Sequence, residues 1–107
     1  MAVVVRYNPK DLTSEKAETA SRMMMEKGAA MGHDGPPEDL LVHVRFGDDG
    51  NLMVSEIWSS EEVWREQYEN FIEPTLREAG IETSPDVFEA QAVWGSGVPA
   101  APTAQTA

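Results

Sequence analysis

The chain contains no cysteine, which removes disulfides, thiolate nucleophiles and cysteine-based zinc sites together. That composition fits a reducing cytoplasm, the expected compartment. Basic residues are scarce: eight Lys and Arg stand against nineteen Asp and Glu, for a net charge of −11. A phosphate backbone is held by clustered cations that release counterions, and here the cations are scattered singly. Neither nucleic acid nor a membrane is therefore an expected partner, and the plain reading of the acidity is solubility. No apolar run approaches the ~18 residues that a bilayer span needs. The opening Met-Ala-Val-Val-Val-Arg-Tyr-Asn has a short apolar stretch without a basic flank, so a first strand is expected there and not a secretory signal. Nucleophile motifs, phosphate-cradling glycine loops and dinucleotide fingerprints are missing too. An enzyme built on this chain would work without a nucleotide cofactor, and no cofactor is expected.

What is present is enough for one small domain. The 107 residues are 41% apolar, sufficient for a core, and chains of this size are usually single domains. So small a domain buries only roughly 60–65% of its unfolded surface, so a partner covering one face would stabilise it.

Residues 2–8 are rich in β-branched side chains and stop at Pro9, which suits strand 1. Thr13 or Ser14 can cap a helix from residue 14 to about 30, with Glu15 in its first turn. Ala17, Ala20, Met24 and Lys27 or Gly28 give that helix one buried face. The residues 32–37, GHDGPP, form a loop. Strand 2 follows at 39–46, a GDDGN turn at 47–51, and strand 3 at 52–58. Ser59 with Glu62 reads as a capping box opening helix 2. Its apolar stripe includes Trp64, Tyr68, Phe71, Ile72 and Leu76, and it ends at Gly80. Pro74 falls inside it and predicts a kink or restart. Strand 4 is expected at 87–94, and residues 95–107 form a C-terminal tail without periodicity.

The order β-α-β-β-α-β predicts an α+β, ferredoxin-like domain over residues 1–94, with a four-stranded antiparallel sheet. The two crossovers are read as joining parallel neighbours and place both helices on one face. In strand 1, Val3, Val5 and Tyr7 divide from Val4 and Arg6. In strand 4, Phe88, Ala90, Ala92 and Trp94 divide from Glu89, Gln91 and Val93. Neither sheet face is wholly polar, so the face without helices needs a second cover. A homodimer is expected, closing two sheets into a barrel.

Residues 35–93 resemble a family of small bacterial proteins in the dimeric α/β-barrel superfamily, which also holds the antibiotic-biosynthesis monooxygenases. The resemblance spans about residues 1–94. It is carried by the strand around His43, the Glu-Ile-Trp of strand 3 with its Ser-capped acidic turn, and the Glu-Pro-Thr-Leu-Arg-Glu-Ala-Gly helix end. It implies the dimeric barrel fold. For activity it implies several chemistries, because the superfamily holds cofactor-independent oxygenases, haem-degrading enzymes, lactone isomerases, polyketide cyclases and dye-decolourising peroxidases. The haem-degrading members carry an iron-ligating histidine on the second helix, and no histidine lies between Ser59 and Gly80.

His43 is the first candidate for chemistry, with Glu56 as its partner. An even-length turn after strand 2 places His43 on one face with Leu41, Arg45, Val54, Glu56 and Trp58, whereas an odd-length turn reverses the relation. Histidine and glutamate beside an apolar pocket suit general acid–base work on a phenol or enol. Trp58, Arg45, Trp64 and Tyr68 are the candidate substrate-binding residues, the aromatics as walls for a planar molecule. Aromatics at helical spacing also serve simply as core. Met23, Met24 and Met25 supply flexible packing or an adaptable cavity wall. His33, Asp34, Glu38 and Asp39 sit in a Gly-Pro loop, which suits a metal poorly.

Two readings follow. In one, the chain is a cofactor-independent oxygenase, cyclase or isomerase acting on a small aromatic or polyketide-like molecule. In the other, the same dimer only binds or carries such a ligand. A cavity lined by His43 and Trp58 separates them, because a filled core would leave no room for a substrate.

Overall fold

A computed structural model gives the fold and describes residues 1–95. Beyond Gly95, the expected tail lies outside the described residues. The elements are β1 (Val3–Tyr7), α1 (Ser14–Ala30), β2 (Leu40–Phe46), β3 (Met53–Trp58), α2 (Glu61–Gln67), a π-helical turn (Tyr68–Ile72), α3 (Glu73–Glu78) and β4 (Asp86–Glu89). The sheet is antiparallel throughout, in the order β2-β3-β1-β4. Each helical crossover joins two parallel strands with one antiparallel strand between them, not direct neighbours. No helix among the described residues is long and apolar enough to cross a membrane.

Val3, Val5 and Tyr7 of β1 and Trp58 of β3 face the helices and pack with Trp64 of α2 as the main core. A second cluster of Leu12, Ala17, Ala20, Leu52 and Ile81 ties the start of α1 to the β2–β3 turn and the end of α3. Thr13 caps α1 by accepting from the Lys16 amide at 3.1 Å, worth about 1 kcal/mol. Asp49, in the β2–β3 turn, accepts from the Ser14 amide at 2.7 Å. The turn therefore does more than reverse the chain: it holds the helix N-terminus.

Between Phe46 and Met53 the turn contains an even number of residues, so His43 pairs with Glu56 and Arg45 with Val54. Gly47 and Gly50, both at positive φ, permit that reversal. A bulge between Leu40 and Val42 breaks the alternation. Leu40 packs toward the main core and Leu41 falls on the opposite face with Ala2, Ile57 and Val93. The expected grouping of Leu41 with His43 is thus corrected.

Two further expectations shift. The cap of α2 is Ser60, which accepts from the Val63 amide at 3.2 Å, because Ser59 is drawn aside to donate to the Asp39 carboxylate. Helix 2 restarts, as Pro74 predicts. Proline has no N–H for the Asn70 carbonyl, and the π-helical turn immediately precedes the restart. Strand 4 stops at Glu89, not Trp94. Among the described residues its only neighbour is β1, whose start exhausts the ladder with a last bond from the Ala90 amide to the Ala2 carbonyl at 2.9 Å. Val93 then leaves the strand alternation and packs on Ala2.

The helix-free face carries an apolar row across all four strands, Val42, Ile57, Val4 and Phe88, set directly opposite one another. Val44, Phe46 and Phe88 on this face are exposed.

Candidate functional site

Alpha helix α1 turns small side chains toward the sheet. Ala17, Ala20, Ser21 and Gly28 cannot reach across the gap, and Met24 only partly fills it. The outcome is a cavity of about 1200 Å³ between the sheet, α1, the π-helical turn and the loop at 33–39. That exceeds the ~300–1,000 Å³ usual for small-molecule pockets. Phe71, Ile72 and Leu76 give it an apolar helical wall, and Met25, on its rim, is largely exposed.

Its sheet wall is polar at one point. Glu56 is buried, and three donors converge on its carboxylate. The Tyr7 hydroxyl donates to Oε1 at 3.0 Å and the Trp58 indole to the same oxygen at 2.9 Å. His43 Nδ1 lies 2.7 Å from Oε2. Trp64 Nε1 in turn donates to the Tyr7 oxygen at 3.0 Å. A buried carboxylate costs much free energy unless its lone pairs are met, and here both oxygens are engaged.

Burial pushes the Tyr7 phenol well up from its ordinary value, and the negative charge of Glu56 adds to the effect. Tyr7 therefore stays neutral and serves as a donor to Glu56. Burial also raises the Tyr68 phenol, with a smaller contribution from Glu73. The His43 ring is half exposed toward the cavity. With Nδ1 donating to Glu56, Nε2 holds the free lone pair. The carboxylate fixes the ring's tautomer and its orientation, as a second carboxylate does for many base histidines.

The structure brings together four of the six residues singled out in the sequence: His43, Glu56, Trp58 and Arg45 all line the cavity. Trp64 and Tyr68 do not. The Trp64 ring is a buried core residue, stacked on Tyr68 at 5.2 Å between centroids, and Tyr68 donates to the Thr83 carbonyl. Their helical spacing turns them toward β1, so they support Tyr7 from behind. Tyr7 is the site residue that sequence reasoning passed over. Its period-2 alignment with Val3 and Val5 marks it as inward-facing, but only strand pairing across β1 and β3 places it beside Glu56. His33, Asp34, Glu38 and Asp39 line the loop end of the cavity. Among the described residues, no three His, Asp or Glu side chains come together to hold a metal ion.

No family model matches the chain, and no curated protein matches it. Solved structures do. A Deinococcus radiodurans protein provisionally assigned as an antibiotic biosynthesis monooxygenase aligns with a TM-score of 0.54 at 12% identity, over 89% of this chain and 97% of that one. SnoaB from Streptomyces nogalater, a cofactor-independent oxygenase, aligns at 0.52 and 14%, over 86% and 93%. A conserved protein from Methanosarcina mazei aligns at 0.54 and 16%, over 82% and 91%. In architecture, the chain shares the ferredoxin-like α+β fold of these solved structures.

Proposed function

We propose that this chain is a cofactor-independent enzyme that removes a proton from a planar aromatic or polyketide-like molecule bound between sheet and helices. The observation that carries the reading is the 2.7 Å contact of His43 Nδ1 with Glu56 Oε2 in the cavity wall. Nε2 takes a proton from an acidic O–H or C–H, and the Glu56 carboxylate faces the charge that the ring gains. The electron pair left on the substrate then drives isomerisation or ring closure. In an oxygenase, the carbanion adds dioxygen, the peroxide anion takes back the proton held on His43 to become a hydroperoxide, and loss of water with the second hydrogen of that carbon leaves a carbonyl. The likeness in fold to SnoaB supports including that branch.

The same proposal includes a homodimer, formed across the apolar row on the helix-free face, in a reducing cytoplasm to which a cysteine-free chain is suited. Exposed Val44, Phe46 and Phe88 support it, since apolar surface of this kind marks an interface.

Deuterium exchange at the activated carbon of a β-diketone or tetralone, followed by NMR, tests the chemistry. Dioxygen uptake then separates oxygenation from isomerisation. Exchange catalysed by the protein and lost in His43→Ala and Glu56→Gln supports the enzyme. Ligand binding without any exchange supports the second reading, a carrier. One observation favours that alternative: Glu56 already has two buried donors, Tyr7 and Trp58, and so has structural reasons to be where it is.

A further inference from the structure

Arg45 stands two residues from His43 on the same strand, and both line the cavity. Side chains at that spacing share a face about 6–7 Å apart. Among the described residues lining the cavity, Arg45 is the only arginine or lysine. One of its terminal nitrogens donates to Glu18 Oε1 at 3.0 Å. Glu18 comes from α1 and its side chain is mostly exposed. A guanidinium offers five N–H donors in a planar fork, and this contact uses one of them. An exposed ion pair of this kind is weak and readily exchanged.

Resting on the function proposed above, we infer that the substrate carries a carboxylate, which binds Arg45 in the position Glu18 holds. Glu18 is then an intramolecular stand-in for the ligand's own acid. A bidentate carboxylate satisfies the guanidinium fork better than one oxygen of a solvent-exposed glutamate. The opposite end of the cavity reinforces this polarity. Asp34, Glu38 and Asp39 line the loop there and repel an anionic group, so the acid end of the ligand points to Arg45. Ala17, Ala20 and Ser21 of α1 line the same cavity with small side chains, leaving room for a planar ring. The substrate class is an aromatic or enolisable acid whose reactive O–H or C–H lies about 6–7 Å from its carboxylate, matching the strand spacing.

The test compares a hydroxynaphthoate, with hydroxyl and carboxylate on different rings, against its methyl ester, by calorimetry on the 107-residue chain. The acid is expected to bind on the order of tenfold more tightly than the ester. Arg45→Gln should abolish that preference by weakening the acid far more than the ester, and Glu18→Gln should strengthen binding of the acid alone. Equal affinities for acid and ester, or a preference that survives in Arg45→Gln, overturn the carboxylate assignment and leave the proposed function standing. Should Arg45→Gln fail to fold, the Glu18→Gln arm decides by itself, and an unchanged affinity for the acid overturns the assignment. If neither compound binds, or binding leaves the His43 NMR signals unmoved, the proposed function falls and this inference with it.

Discussion

Glu56 stands directly opposite His43 across the β2–β3 ladder, and its Oε2 meets the imidazole Nδ1 at 2.7 Å while Oε1 serves Tyr7 and Trp58. Glu56→Gln tests what that division of labour does. The two donors on the Oε1 side need an acceptor, so the amide oxygen settles there and the NH₂ faces His43. Nδ1 must then accept, which moves the ring proton to Nε2 and removes the base from the cavity. Proton-exchange activity should fall by about 10²–10⁴, with a stability loss of about 1–2 kcal/mol from the weaker uncharged hydrogen bonds. Activity retained in a folded Glu56→Gln protein would mean the base lies elsewhere.

His43→Ala should abolish exchange and barely change stability. The ring is half exposed, and without it Glu56 keeps the Tyr7 and Trp58 donors. We expect a loss under about 1 kcal/mol in urea unfolding. A loss of about 1–3 kcal/mol would assign the histidine to holding the carboxylate.

Tyr7→Phe separates packing from protonation. At neutral pH it strands the Trp64 N–H and leaves Glu56 Oε1 with Trp58 as its one donor, at a cost of about 1–3 kcal/mol. Above the ordinary tyrosine value of 10.0, the unfolded chain releases the Tyr7 proton while the folded chain keeps it. The folded state then binds more protons, so stability falls as pH rises, by at most about 1.4 kcal/mol per unit from this group. The stability contribution is complete below pH 10 and lost above it. In Tyr7→Phe, the slope of stability against pH above 10 should be shallower than in the parent. An identical slope would show that Tyr7 does not titrate with unfolding.

Local chemistry explains which parts of this arrangement the sequence could show. Val3, Val5 and Tyr7 alternate cleanly, and Thr13, Pro74 and the GDDGN turn each act within a few residues, so β1, the α1 cap, the helix restart and the hairpin were all readable. His43, Arg45, Glu56 and Trp58 followed once the turn had even length. The Leu40–Val42 bulge, the shift of the cap to Ser60 and the early end of β4 depend on partners distant in sequence: Ser59 answers to Asp39, and β4 ends where β1 begins. Trp64 and Tyr68 were aromatic and helical, but period 3.6 says only that they share a face. That they turn to Tyr7 and not to the cavity is decided by tertiary packing.

The apolar row on the helix-free face makes the dimer testable without any ligand. Val44→Lys and Phe88→Glu place charges where Val44 and Phe88 are exposed in the single chain, so each should cost a lone subunit under about 0.5 kcal/mol. Light scattering at micromolar concentration should give a dimer for the parent and a monomer for the double variant. A parent that is monomeric under those conditions removes the dimer from the proposal.

Trp58 and Trp64 are both almost fully buried, yet they should respond differently to substitution. Trp58 lines the cavity and donates to Glu56, while Trp64 donates to Tyr7 and stays outside the lining. Trp64→Phe keeps most of the ring volume and loses the N–H beneath Tyr7 and some contact with Tyr68. It should lower stability by about 1–3 kcal/mol with ligand affinity unchanged. Trp58→Phe loses a donor to Glu56 and part of the cavity wall at once, so stability should fall by a similar amount and ligand affinity with it. Truncation of either to Ala should cost about 3–5 kcal/mol, which makes the Phe variants the better probes. Calorimetric affinity for a naphthol set beside urea unfolding reads both effects in the same proteins. Should Trp64→Phe weaken the ligand as much as Trp58→Phe does, Trp64 belongs to the cavity wall and not to the core behind it.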